Sequence, residues 1–170
     1  IGSWGTNSIW KIPAGTTTAS KWIDVSGTGP LLGVLADEKS GRLLVCKAGV
    51  KTFDLKTGAP REALTIPTAN PFCNDLAVRN DGSIYVTDTN GAKVFMFAKG
   101  KTEALQVASD PLLAGIDGLA FLNDPDKLYV NTVTTSKLLR LDLAKDGKVN
   151  KITELKLSRP LQGPDGMRAV

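Results

Sequence analysis

The 170-residue sequence contains no histidine. Within these residues that rules out a Ser-His-Asp triad, a Cys-His pair and a histidine-ligated zinc. No segment approaches the ~20 consecutive apolar residues that span a bilayer, so no membrane is expected as a partner. Basic blocks are missing too. The formal charge is only +4, lysines and arginines are scattered, and no basic helix is legible, so nucleic acid is not an expected partner. Long i, i+3, i+4 apolar stripes are absent, which removes the helical solenoids. Ile1 is not an initiator methionine and no signal-peptide pattern follows it, so the chain reads as a processed or truncated product. What is present is ordinary for a globular core: 42% hydrophobic and 22% charged residues.

The informative feature is a repeat. Gly33-Val34-Leu35-Ala36 to Leu43-Leu44-Val45, Asp75-Leu76-Ala77-Val78 to Ile84-Tyr85-Val86, and Gly118-Leu119-Ala120-Phe121 to Leu128-Tyr129-Val130 are each two short apolar strands around a polar turn. The turns are Glu38-Lys39-Ser40-Gly41, Asn80-Asp81-Gly82 and Asn123-Asp124-Pro125-Asp126. Asn, Asp and Gly there tolerate positive φ or bond their own backbone. A third, alternating strand follows, as in Lys93–Phe97 and Lys137–Leu143, and then a turn leads to a more polar fourth strand. Four antiparallel strands, apolar inside and polar at the outer edge, make a β-propeller blade, so the expected fold class is all-β.

Aligning the blade starts pairs Leu32, Asn74, Asp117 and Asp165, at steps of about 42, 43 and 48 residues, close to the ~40–45 of known propeller repeats. The expected divisions of this single partial domain are blade remnants at 1–29, blades at about 30–70, 71–113 and 114–160, and the start of another at 161–170. Asn7 to Pro13 reads as a third strand and Lys21 to Val25 as a fourth, so the chain covers roughly four blades' worth. An unclosed array leaves edge strands and an apolar blade face exposed, so the remainder of the propeller is expected from elsewhere, including a separate chain.

First strands line a propeller's central channel, so Asn74, Asp117 and Asp165 converge at one mouth. Converging carboxylate and amide oxygens suit a hard divalent cation. A leftover carboxylate can act as a general base. Each residue also has a plainer reading, since Asn and Asp before a strand often cap a turn. Arg168, three residues beyond Asp165, is placed to orient a substrate anion or to lie solvated at a strand end.

The segments Asn74-Asp75-Leu76-Ala77-Val78 and Gly163-Pro164-Asp165-Gly166-Met167 resemble the gluconolactonase, regucalcin and senescence-marker-protein family. The resemblance implies a six-bladed propeller with one divalent metal at the channel mouth, hydrolysing lactones or related esters. It implies Asp165 as metal ligand and general base, Asp117 as a ligand where the family carries asparagine, and Asn74 beside metal and substrate. The family's first-blade glutamate would lie upstream of Ile1. Asp in place of Asn at 117 adds a negative charge, which either shifts metal preference toward calcium, with zinc, magnesium and manganese as alternatives, or leaves a carboxylate unneutralised. Two other readings stay open: a non-catalytic propeller binding a small molecule or a protein, and an arylesterase-like or strictosidine-synthase-like propeller.

Cys46 ends a second strand and Cys73 precedes the next first strand, so both lie near the mouth of neighbouring blades. A disulfide between them and two buried thiols are both open readings. A bridge would mean a secreted or periplasmic protein, free thiols a cytoplasmic one. Trp4, Trp10 and Trp22 cluster near the N-terminus, where packing against a neighbouring blade is the ordinary role and a sugar platform the alternative.

Overall fold

A computed structural model describes residues 1–169, and Val170 lies outside it. The chain is all-β. A first sheet holds β1 (Gly2–Ser3), β2 (Ser8–Lys11) and β3 (Ser20–Asp24). A second runs β4 (Val34–Asp37), β5 (Arg42–Lys47), β6 (Gly49–Asp54) and β7 (Pro60–Leu64). A third runs β8 (Cys73–Val78), β9 (Ile84–Asp88), β10 (Lys93–Phe97) and β11 (Leu105–Ser109). A fourth runs β12 (Ile116–Phe121), β13 (Lys127–Thr132), β14 (Lys137–Leu143) and β15 (Val149–Glu154). Every sheet is an antiparallel meander in sequence order, the form of a propeller blade, and the described residues make an open array of blades.

Period-two alternation explains why the blades stack. On β5, Leu43 and Val45 pack with the first sheet's Ile9 and Ile23 and with Val25 just beyond it, while Leu44 and Cys46 pack with the third sheet's Leu76, Val86 and Phe95. On β9, Ile84 and Val86 turn back to the second sheet, and Tyr85 turns forward to Leu119, Leu128 and Leu141 of the fourth. The middle strands are thus buried on both faces and read as continuous apolar runs. Fully burying one such Leu, Ile or Phe contributes roughly 1.5–3 kcal/mol, so these inter-sheet clusters dominate the stability. The Tyr85 ring meets Phe121 edge to face at 5.3 Å, and its hydroxyl donates to the Gly147 carbonyl at 3.0 Å. Burial pushes that phenol up to about 12.

The N-terminal end adds one element to the sequence reading. β1 is a short additional strand, paired Gly2 to Ile9 and Ser3 to Ser8. At the other end, the first strand expected from residue 161 forms no ladder among the described residues. A blade's first strand pairs with the strand that follows it, and none follows among the described residues; the Met167 N–H meets a side chain, Asp75 Oδ2, at 3.4 Å. The segment still lies against β12. A Cβ added to Gly118 would sit 2.6 Å from the Met167 nitrogen, so only glycine permits this approach.

Candidate active site at the channel mouth

The blade starts are where the ladders break. β8 slips against β9 between Cys73 and Leu76, and β12 slips against β13 between Ile116 and Leu119. Bulges re-aim side chains, and these two free Asn74 and Asp117 from strict alternation. Asn74 Nδ2 donates to Asp117 Oδ2 at 2.8 Å and to Thr89 Oγ1 at 3.0 Å. Asp165 follows in the segment after β15, with its own backbone carbonyl held by Asn131 Nδ2 at 2.6 Å. Asn74 and Asp165 line one cavity of about 290 Å3 together with Leu32, Gly33, Asp75, Gly166 and Arg168.

Asp117 is the most perturbed carboxyl of the group. It is buried, and its Oδ1 has no hydrogen-bond partner. Burial pushes its pKa up to about 6, the neighbouring Asp165 carboxylate adds to the rise, and the bond from Asn74 opposes it. Its backbone carbonyl is fixed by Thr87 Oγ1 at 2.7 Å, and that hydroxyl also accepts the Asp75 N–H at 3.1 Å.

Asp75 and Arg168 form the floor beneath this group. The Arg168 guanidinium grips the buried Asp75 carboxylate with both arms, Nη1 to Oδ2 at 2.7 Å and Nη2 to Oδ1 at 2.8 Å. Nη2 also donates to the Val34 carbonyl at 3.1 Å and Nη1 to the Met167 carbonyl at 2.6 Å. Arg168 thereby ties the C-terminal segment to β4 and β8 across the channel. Below it an apolar bore of about 190 Å3 runs between Leu35, Leu76, Leu119 and Phe121. The arginine offered by the sequence for a substrate anion is engaged here as the counter-ion of Asp75.

The sequence reading passed over Asp75, Thr87, Thr89 and Asn131. Asp75 occupies the register of Gly33, Gly118 and Gly166, so aligning one residue further along would have exposed it as the odd member. Thr87 and Asn131 share a register with Cys46, because Tyr85, Tyr129 and Leu44 pair with equivalent first-strand residues. At that position the second sheet is joined covalently to the third. Cys46 and Cys73 form a disulfide with Cα atoms 5.2 Å apart, both side chains fully buried.

A hard divalent cation takes several oxygen donors at once. Among the described residues, no three Asp, Glu, Cys or His side chains are arranged to hold one together. The two carboxylates and one amide nevertheless have the chemistry of an oxygen-donor set, and the unpartnered, buried Asp117 Oδ1 has no protein hydrogen left to accept. The described residues thus offer oxygen donors of the right chemistry for such an ion without an assembled ligand shell.

A family model described as SMP-30/Gluconolactonase/LRE-like region matches residues 6–169. The chain belongs to this family. Members and relatives of known structure share its fold at low identity. A gluconolactonase from Xanthomonas campestris is 21% identical, with a TM-score of 0.67, covering 89% of this chain and 56% of its own. A catalytically inactive virginiamycin B lyase from Staphylococcus aureus, solved with quinupristin, is 15% identical with a TM-score of 0.74, covering 95% and 53%. The structure of a nidogen/laminin complex gives 17% and 0.71, covering 95% and 62%. The chain therefore spans about half the length of the solved structures it matches. No curated protein matches it.

Proposed function

We propose that this SMP-30/gluconolactonase-like chain carries the greater part of the site of a divalent-metal-dependent hydrolase of lactones or related esters. The observation that carries the reading is the meeting at equivalent repeat positions of Asn74 and Asp117, bonded Nδ2 to Oδ2, with Asp165 as charged neighbour and Asp117 Oδ1 buried without a partner. Asn74, Asp117 and Asp165 would hold the cation, with calcium the best match to an all-oxygen set. When bound, the cation polarises the acyl carbonyl and lowers the pKa of a nearby water.

The rest is the work of the chain. Asp165, exposed at the mouth, takes a proton from water as the water oxygen bonds to the acyl carbon. The ring C–O bond then breaks, and the leaving oxygen recovers that proton from Asp165 to give the hydroxy acid. Asn74 faces the substrate side, and the Asp75–Arg168 pair closes the channel below. The buried Cys46–Cys73 bridge supports an oxidising compartment, secreted or periplasmic. The remaining blades would come from the rest of the propeller or from a separate chain.

The second reading is a propeller that only binds a partner. The fold likeness to the nidogen/laminin structure supports it, as does the engagement of Arg168 by Asp75. The full-length protein, supplied in turn with calcium, zinc, magnesium and manganese and assayed on a lactone series, separates the two. Hydrolysis lost in Asp165→Ala supports the hydrolase. Equal turnover in both proteins, or none with any ion, removes it.

A further inference from the structure

Asn74 can serve a cation or a substrate in two opposite ways, through its carbonyl oxygen or through its amine. The hydrogen bonds around it decide which end faces the cavity. Thr89 Oγ1 lies 2.6 Å from the Ile116 carbonyl, which can only accept, so the single hydroxyl hydrogen goes there. Oγ1 is then left as an acceptor, and the atom of Asn74 facing it at 3.0 Å has to be the donor, Nδ2. Asp117 Oδ2 draws the other hydrogen of the same nitrogen at 2.8 Å. With both amine hydrogens spent, Oδ1 is the end left for the cavity that Asn74 lines.

The blade itself does not require this hydroxyl. The equivalent position is Ala48 in the second sheet and Val133 in the fourth, each after a second strand of the same register. The hydroxyl occurs in the sheet whose first strand carries the asparagine. Thr89 is also anchored independently, its N–H donating to the Phe72 carbonyl at 3.2 Å.

We propose that Thr89 is a positioning residue that holds the Asn74 amide with its carbonyl oxygen toward the channel mouth. The orientation stands on the hydrogen bonds alone, whereas its effect on a cation rests on the function proposed above. The test uses the full-length protein with Thr89→Val and Thr89→Ser, and two readouts. The first is the pair of Asn74 side-chain amide resonances by 15N NMR, assigned with Asn74→Asp. Two distinct, slowly exchanging protons are expected in wild type and Thr89→Ser, with loss of protection in Thr89→Val. The second is calcium affinity by calorimetry, where Thr89→Val is expected to weaken binding about 10–100-fold, the usual cost of losing a partner that orients a ligand, and Thr89→Ser to restore it. Unchanged amide protons in Thr89→Val, or a folded Thr89→Val with wild-type calcium affinity, would overturn the proposal. If the wild type binds no calcium, the metal reading fails and the NMR result alone decides the role of Thr89.

Discussion

The junction between the second and third sheets and the junction between the third and fourth are built from one repeat, yet they are fastened differently. Beneath both lies a buried apolar layer, Leu44, Phe95 and Phe97 in one, Leu119, Leu128 and Leu141 in the other. At the mouth they part. The register occupied by Cys46 at the first junction, with its bond to Cys73, holds Thr87 at the second, with its bonds to the Asp75 N–H and the Asp117 carbonyl. The first junction gains strength by covalent closure and keeps no polar side chain at that point. The second keeps a hydrogen-bonded network, and the charged groups of the candidate site hang from it. A buried carboxylate is costly unless partnered, so the site sits at the junction whose backbone is held by hydroxyls and amides able to share that cost.

The largest expected effect comes from undoing the covalent clasp. The bridge closes a loop with a sequence separation of 27, which in the chain-entropy model restricts the unfolded chain by about 3–4 kcal/mol. Cys46→Ala with Cys73→Ala should lower the urea midpoint accordingly, with a slope equal to or steeper than wild type because the released unfolded chain exposes more surface, while leaving the Asn74–Asp117 network in place. A double variant with the wild-type midpoint would mean that the two junctions are equally fastened without the bond.

A second effect lies on the other junction and depends on pH. The folded pKa of Asp117, about 6, stands above its ordinary value of 3.8. Between these values the folded protein binds the proton more tightly than the unfolded one, so this group's stabilising contribution is full below about pH 4 and is lost as pH rises through 6. At two pKa units the loss amounts to at most about 3 kcal/mol. With chelator present, wild type should therefore lose stability across this window, and Asp117→Asn should be flatter. Saturating calcium should remove the trend by favouring the ionised form. Parallel curves for wild type and Asp117→Asn would show that Asp117 is no more strained than a surface carboxylate.

How much of this was legible follows from what carries periodicity. The blades were readable because Leu43 to Val45 and Ile84 to Val86 alternate between two neighbours, and burial on both faces leaves an apolar run. The triplet Asn74, Asp117 and Asp165 was readable because it recurs at the blade period. Asp75 was not, since alternation points it away from Asn74 and only the bulge at 73–76 brings both toward the channel. Nothing local signals that Arg168 closes on Asp75 across 93 positions. The two threonines look like ordinary strand residues until their partners on the next blade are seen. The segment from 161 reads as a first strand by repeat; such a strand pairs with the one that follows it in sequence, and no following strand lies among the described residues.

The smallest of the three effects isolates the clasp position itself. Thr87→Val keeps the shape of the buried side chain and removes only the hydroxyl. The Asp117 carbonyl and the Asp75 N–H then lose a partner where water does not enter, and each buried group left without a bond costs about 1–3 kcal/mol. Part of that returns through relaxation, since Val is at home in a strand, so a net loss of about 1–2 kcal/mol in urea unfolding is expected. Its significance is in where it appears. If the second junction is the one that holds the site, Thr87→Val should also weaken calcium binding by moving Asp117, whereas the cysteine double variant should cost more stability and leave calcium affinity unchanged. The reverse pattern, with affinity falling only in the cysteine variant, would place the control of the site at the covalent junction through Cys73 and its neighbour Asn74.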